Sequence, residues 1–246
     1  MRQKKKRKFL KHRETDKPAR KVRATKIFKA VLFDLDGTLL DTLEDLADSM
    51  NTVLRSLGFD EHKADDYRYF VGDGIEVLCQ RVVPKRHRDQ QVLINKCIAD
   101  MKQEYGRRWD RKTKPYKGIQ QMLNYLAANG IKMAVLSNKP DEFTRLTVTR
   151  LLSRWKFDVI LGQRSNVPRK PDPAAALEIA RRLGMKPYEI VYLGDTSIDM
   201  KTAIAAGMYP VGALWGFRTK AELLESGARM IIAKPSELLS LFKVKE

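Results

Sequence analysis

Lys29-Ala-Val-Leu-Phe-Asp34-Leu-Asp36-Gly-Thr38 is the stretch whose reading decides the fold. Four apolar residues between a lysine and an Asp-x-Asp-Gly run read as a short strand, buried on both faces and closed by a polar turn. Such a strand needs cover on both sides, and the rest of the chain supplies it. Comparable apolar runs recur at residues 131–137, 158–161, 190–194 and 210–214. Helical patterns lie between them at residues 119–129, 141–152, 173–183 and 198–206. Strands alternating with helices predict an α/β fold, a Rossmann-like parallel sheet with helices on both faces.

Residues 43–117 interrupt this alternation. Leu43, Leu46, Met50, Val53 and Leu54 recur at spacings of three and four, as do Val92, Leu93, Cys97 and Met101. The interval is expected to form an inserted α-helical domain, residues 43–117, with residues 29–42 and 118–246 making the α/β core. Thr42-Leu-Glu-Asp45 has the form of a capping box, and Pro115 with Gly118 gives a stiff and then a permissive return to the core. Both crossings are hinge candidates, and Asp41 is expected to fix the exit into the insert.

The formal charge of +18 belongs mainly to one end of the chain. Residues 1–29 hold 14 Lys or Arg against Glu14 and Asp16, which is +12 of the +18 and leaves +6 for the remaining 217 residues. Residues 1–28 read as a basic, disordered tail, because like charges with few apolar residues cannot offset the entropy of ordering. An accessory, salt-sensitive affinity of this tail for nucleic acid or an acidic partner is one expectation. A targeting role is another, though the two acids and sparse apolar residues suit an amphipathic presequence poorly.

With 43% apolar residues and no run of the roughly 18 needed to span a bilayer, a soluble, cytoplasmic protein is expected. Cys79 and Cys97 show no metal or redox spacing and read as buried, inert thiols. His12, His62 and His87 lie away from every motif and are expected to be solvated, which argues against chemistry built on a histidine base.

In open parallel sheets, ligands gather at the carboxyl ends of the strands. Four strand ends here carry one chemical theme: Asp34-Leu-Asp36-Gly-Thr, Ser137-Asn138-Lys139, Arg169-Lys170-Pro-Asp172, and Gly194-Asp195-Thr-Ser-Ile-Asp199. Carboxylates converging without a cation would repel one another until some protonated. Magnesium, which takes carboxylate oxygens plus substrate phosphate, resolves this, and Lys170 can neutralise phosphoryl oxygens so that one anion attacks another. Taken singly, Thr196 with Asp199 could be a helix cap, Lys170 a solvated loop lysine, and Ser137 or Asp36-Gly37 an ordinary turn. Their joint occurrence, in order, argues for one site.

Asp34-x-Asp36-Gly-Thr, Ser137, Lys170 and Gly194-Asp195-x-x-x-Asp199 resemble, in sequence order, the four motifs of the haloacid dehalogenase superfamily. The resemblance implies Asp34 as nucleophile and Asp36 as general acid and base. It implies Ser137 and Asn138 as phosphate-binding residues, with Lys170 orienting Asp34 and balancing charge. Magnesium would be held by Asp34, Asp195 and the Asp36 backbone carbonyl, with Asp199 in support. Residues 70–78, Arg81-Val-Val-Pro84, Tyr116-Lys-Gly118 and Leu214-Trp-Gly-Phe-Arg218 resemble the phosphoglycolate phosphatase branch. A cap between the first two motifs would select substrate and exclude water.

The departures from the branch are mild. Ser137 stands for the commoner threonine, and Arg164 for an acidic or small polar residue. Asp36 favours hydrolysis over ion pumping. The expected substrate is a small phosphomonoester, 2-phosphoglycolate first, with inorganic pyrophosphate or a sugar phosphomutase reaction as alternatives. A further alternative, binding of nucleic acid or an anionic surface through the tail, belongs to another class of function. Arg68 and Arg81 are candidate contacts for a substrate carboxylate. Gly72 and Gly74 fit either a backbone turn or a substrate-facing loop. The oligomeric state stays open.

Overall fold

The computed structural model describes residues 28–242, and every structural statement here concerns that span. Strand β1 (Ala30–Phe33) leads into a short strand β2 (Leu40–Asp41). Four helices follow: α1 (Leu43–Ser56), α2 (Tyr67–Phe70), α3 (Ile75–Val82) and α4 (Gln91–Arg108). The chain returns through β3 (Lys114–Pro115), α5 (Ile119–Ala128), β4 (Lys132–Pro140), α6 (Asp141–Leu151) and β5 (Val159–Gln163). It ends with α7 (Ala174–Leu183), β6 (Ile190–Gly194), α8 (Ser197–Ala205), β7 (Tyr209–Ala213), α9 (Lys220–Glu225) and β8 (Met230–Ile232).

Six strands form one parallel sheet in the order β5-β4-β1-β6-β7-β8. All four residues of β1 are buried, as its unbroken apolar run requires of a strand covered on both faces. Val31 and Phe33 pack on one side with Ile119, Met122, Leu123 and Leu126 of α5. Ala30 and Leu32 pack on the other with Ala176, Ile179 and Leu183 of α7. The chain leaves β1 towards β4 and β5, then comes back to β6 on the opposite side. The strand order therefore reverses at β1, and a crevice opens at its carboxyl end, where Asp34 stands.

The helices α1 to α4 form a separate apolar cluster around Met50, Leu54, Tyr67, Cys79, Ile94 and Met101. β2 and β3 pair antiparallel, Leu40 with Pro115 and Asp41 with Lys114, where the chain leaves for this layer and returns. Asp41 thus holds the exit through backbone pairing. Cys79 and Cys97 are both buried there.

Several local expectations are corrected. Thr42 makes no side-chain cap hydrogen bond, and its buried hydroxyl has no partner. Asp45 turns instead to the returning chain and accepts from Thr113 N at 2.8 Å, Thr113 Oγ1 at 2.8 Å and Lys112 N at 2.9 Å. Two main-chain donors and a hydroxyl from that segment outcompete the local cap. His62 is not solvated: its Nε2 lies 2.8 Å from the Val82 carbonyl, and its ring packs on Tyr67 and Phe70. His87 is also half-buried, against Phe59, while His12 lies outside the described residues. Periodicity did not reveal β2, β3, α9 or β8.

Of the basic stretch 1–28, only Phe28 is described. It is buried, with its ring centroid 5.1 Å from that of Tyr209 and 6.4 Å from that of Phe242. The calls of disorder and of nucleic-acid or acidic-partner binding lie outside the described residues. No helix among those described is long and apolar enough to cross a membrane.

Asp45 is 1% exposed, so Asp45→Ala strands three donors at the junction between the two layers. The expected cost is about 3 kcal/mol, read as a lower urea midpoint at unchanged slope. A loss below about 0.5 kcal/mol would show that this tie does not hold the junction.

Candidate active site

Lys170, in the loop between β5 and α7, reaches the crevice with its side chain 3% exposed. Its ammonium donates to Asp34 Oδ1 at 2.7 Å, to Asp199 Oδ1 at 2.7 Å and to the Leu136 carbonyl at 3.2 Å. Three N–H groups meet three acceptors, so the lysine is fully satisfied. Burial alone would lower its pKa, but Asp199 and Asp34 outweigh that and hold it protonated, well above the ordinary lysine range.

Asp34 and Asp195 feel the opposite pressure. Burial pushes the Asp34 carboxyl well above the usual carboxylate range; Lys170 opposes this, and Asp199 and Asp195 add to it. Asp195 is fully buried and pushed up to about 7, first by burial and then by Asp199. The Phe217 N–H, at 2.7 Å from Oδ2, and the Thr38 hydroxyl, at 2.8 Å from Oδ1, work against that rise. Gly37 makes room for this acid: its φ is +90°, and a Cβ there would collide with the Asp195 carboxylate.

Asp34, Asp195 and Asp199 each present a carboxylate oxygen within 4.8 Å of the others. One ammonium stands against three buried acids. The raised affinity of Asp34 and Asp195 for protons is the mark of a cluster short of positive charge, and all-oxygen donors suit a hard divalent cation such as magnesium. The residues present therefore fit that ion. Asp199 closes a helix cap and also faces the Lys170 ammonium. Its Oδ2 accepts from Thr196 N at 3.0 Å and Thr196 Oγ1 at 2.7 Å, closing the capping box of α8, while Oδ1 faces Lys170.

Asp36 lines the same pocket as Asp34, Ser137 and Lys170. Its carboxylate meets a residue to which the sequence reading gave no role. Lys139 Nζ lies 3.0 Å from Asp36 Oδ1 and 2.7 Å from the hydroxyl of Tyr105, which belongs to α4. Burial would lower the Lys139 pKa, but Asp36 and Tyr105 reverse this and keep it a cation. Tyr105 is itself pushed up to about 12 by burial against the pull of Lys139, so it remains a phenol. The signal was a lysine directly after Ser137-Asn138 at a strand end; Tyr105, distant in sequence, gave none.

Ser137 Oγ accepts from Lys139 N at 3.2 Å and borders the pocket. Asn138 corrects the expectation of phosphate binding through its side chain, because the amide is committed elsewhere. Its Oδ1 accepts from Lys170 N at 2.9 Å, and its Nδ2 donates to Gly72 O at 3.0 Å and Lys170 O at 3.2 Å. It ties the lysine loop to the helical layer. Arg169 adds to this tie through Asp73 O, at 3.0 Å, and an ion pair with Glu76.

The arginines proposed for a substrate carboxylate point away. Arg81 pairs with Asp73 at 2.6 Å and donates to the Phe70 carbonyl, and Arg68 donates to Gly216 O at 2.9 Å. Neither lines the pocket. Gly72 and Gly74 both do, at φ +110° and +92°, so they serve as backbone turns and pocket wall together. Arg164 pairs with Glu178 of α7 at 2.5 Å, a structural role.

Comparisons with known proteins agree with this geometry. The haloacid dehalogenase-like hydrolase family matches residues 31–213. The chain is 30% identical to the phosphoglycolate phosphatase of Aquifex aeolicus, over 87% of this chain and 96% of that protein. It is 32% identical to that of Pseudomonas putida, over 77% of this chain and 70% of that one. Among solved structures, a Haemophilus somnus protein described as a predicted phosphoglycolate phosphatase superposes with a TM-score of 0.82 at 27% identity, covering 89% of this chain and all of that one. With its strand order, its acid cluster and a family match across most of its length, the chain belongs to the haloacid dehalogenase-like hydrolases.

Proposed function

We propose that this protein is a magnesium-dependent phosphatase that hydrolyses 2-phosphoglycolate to glycolate and phosphate through a phospho-aspartate on Asp34. The observation that carries the reading is the buried Lys170 ammonium 2.7 Å from Asp34 Oδ1, at the mouth of β1 and beside Asp195 and Asp199. That contact fixes one carboxylate oxygen and leaves the other without a hydrogen bond among the described residues. A free, oriented carboxylate oxygen is what an in-line attack on phosphorus needs. Relatives named phosphoglycolate phosphatase, at 30–32% identity, support the substrate.

In the proposed reaction, Asp34 forms a bond to phosphorus as the bond to the glycolate oxygen breaks. Asp36, two residues on and in the same pocket, gives its proton to that oxygen. It then takes a proton from water, which attacks the acyl phosphate and releases Asp34 as a carboxylate and phosphate as product. Lys170 neutralises charge throughout, and the Ser137 hydroxyl donates to a phosphoryl oxygen. Asp34, Asp195 and the Asp36 carbonyl would hold magnesium, with Asp199 in support, and the bound ion would neutralise charge on the phosphoryl oxygens. The helical layer shields the site from bulk solvent while admitting the one attacking water, and the reaction is read as cytoplasmic.

Asp34→Asn is expected to lower magnesium-dependent phosphate release from 2-phosphoglycolate by roughly 10⁴-fold or more. Rapid acid quenching with labelled substrate should trap a hydroxylamine-sensitive phosphoprotein in the native enzyme and none in the variant. Substantial turnover by Asp34→Asn would sink the mechanism. Faster turnover of pyrophosphate or glucose 1-phosphate would move the substrate assignment.

Saturating magnesium is expected to raise the melting temperature by roughly 5 °C, and chelation should reverse this. Asp195→Asn should lose most of that response, since it removes one negative charge from the cluster. An equal response in both proteins would place the ion elsewhere.

A further inference from the structure

The glycolate leaving group is two carbons long and ends in a carboxylate, so a second anion must come to rest beside the oxygen that Asp36 serves. Much of the pocket wall there is apolar: Leu46, Val71, Ile75, Leu78 and Met101 from the helical layer, and Phe143 from α6. A carboxylate left unpaired among these side chains would be strongly disfavoured. Some cation must meet it, and the candidates can be sorted by their existing partners.

Arg68 and Arg81 are turned away, towards Gly216 and Asp73. Lys170 has every N–H engaged, by Asp34, Asp199 and the Leu136 carbonyl. Lys102 borders the pocket, but its exposure leaves it bathed in solvent. Lys139 differs from all of these. Its side chain is 5% exposed, it lines the pocket, and its Nζ is 3.0 Å from the Asp36 carboxylate. Tyr105 steadies it from the helical side at 2.7 Å. The ammonium's third contact is a longer one, 3.3 Å to Asp36 Oδ2, and that is the N–H an incoming carboxylate would take over.

We propose that Lys139 is the specificity-determining residue for the leaving group: its buried ammonium, held between Asp36 and Tyr105, pairs with the substrate's carboxylate. This rests on the phosphoglycolate reading above. An acceptor beside the oxygen that Asp36 protonates would stand next to the Lys139 ammonium and replace its longer contact to Asp36 Oδ2. The pair forms out of water, where an ion pair discriminates strongly against a neutral analogue.

The test compares kcat/KM for 2-phosphoglycolate with that for ethyl phosphate, which has the same two carbons and no carboxylate, in the full-length enzyme with magnesium. The native enzyme is expected to prefer phosphoglycolate by roughly 100-fold, and Lys139→Met to lose most of that preference, mainly through KM. Lys139→Arg should keep most of the ratio. Both substrates will also lose whatever Asp36 loses, so the ratio is the readout. An unchanged ratio in Lys139→Met would overturn the assignment and leave the substrate reading standing. Native enzyme that hydrolyses 4-nitrophenyl phosphate but not phosphoglycolate would overturn the substrate reading, and the role of Lys139 with it. Turnover of 4-nitrophenyl phosphate by Lys139→Met or by Lys139→Gln reports an assembled site. Equal loss on all substrates in both variants would make Lys139 part of the common machinery and overturn its selective role.

Discussion

The ammonium of Lys170, locked between Asp34 and Asp199 with a backbone carbonyl as its third acceptor, is the contact on which the site depends. Burying a charge this deeply is costly, and a salt bridge out of water is seldom a net source of stability. Its value is positional. Asp34 follows β1, Asp199 opens α8 and Lys170 comes from a loop, so one cation fixes three segments that are far apart in sequence. It does so without neutralising them. Three carboxylates against one ammonium leave the cluster short of positive charge, which is why burial and mutual repulsion raise Asp34 and Asp195 in pKa.

The fold makes that arrangement possible through where the sheet reverses. Because β1 lies between β4 and β6, the residues leaving it emerge between two loops that turn to opposite sides. Ser137 and Lys139 arrive from β4, and Asp195 from β6. Small residues keep the approach close: Gly194 faces the Asp199 side chain where a Cβ would collide, and Gly37 does the same for Asp195. Asn138 then carries the order outward, because one amide holds both the Lys170 backbone and Gly72 of the helical layer. A displacement of that layer is therefore felt by the loop that carries the lysine.

Much of this was legible in the sequence, for reasons that also explain what was not. Strands buried on both faces have unbroken apolar runs, so β1, β4, β5, β6 and β7 could be read locally. The acids and the lysine stand directly at strand ends or in the loops beyond them, where the topology rule places ligands. Asp45 misled because a capping box and a long-range acceptor look alike until the donors of Lys112 and Thr113 are in place. Arg81 misled in a similar way, since a cation near a glycine-rich loop says nothing about whether Asp73 will claim it. Lys139 was passed over because its meaning depends on Tyr105, 34 residues away in sequence and on another layer. β8 is only three residues long, too short for periodicity to register.

The pocket wall bears on the choice among reactions as much as the acids do. A sugar phosphate brings a ring of hydroxyls that must exchange water for protein partners, and Leu46, Val71, Ile75, Leu78 and Met101 offer none. Each hydroxyl buried against them would lose hydrogen bonds to water without replacement. A two-carbon acid asks for less: room for one methylene, which the apolar wall favours, and one counter-charge, which Lys139 can supply. The roles proposed for Asp34, Asp36 and Lys170 would serve a mutase or a phosphatase equally. The apolar side chains facing the pocket from the helical layer suit the proposed two-carbon leaving group better than a ring of hydroxyls.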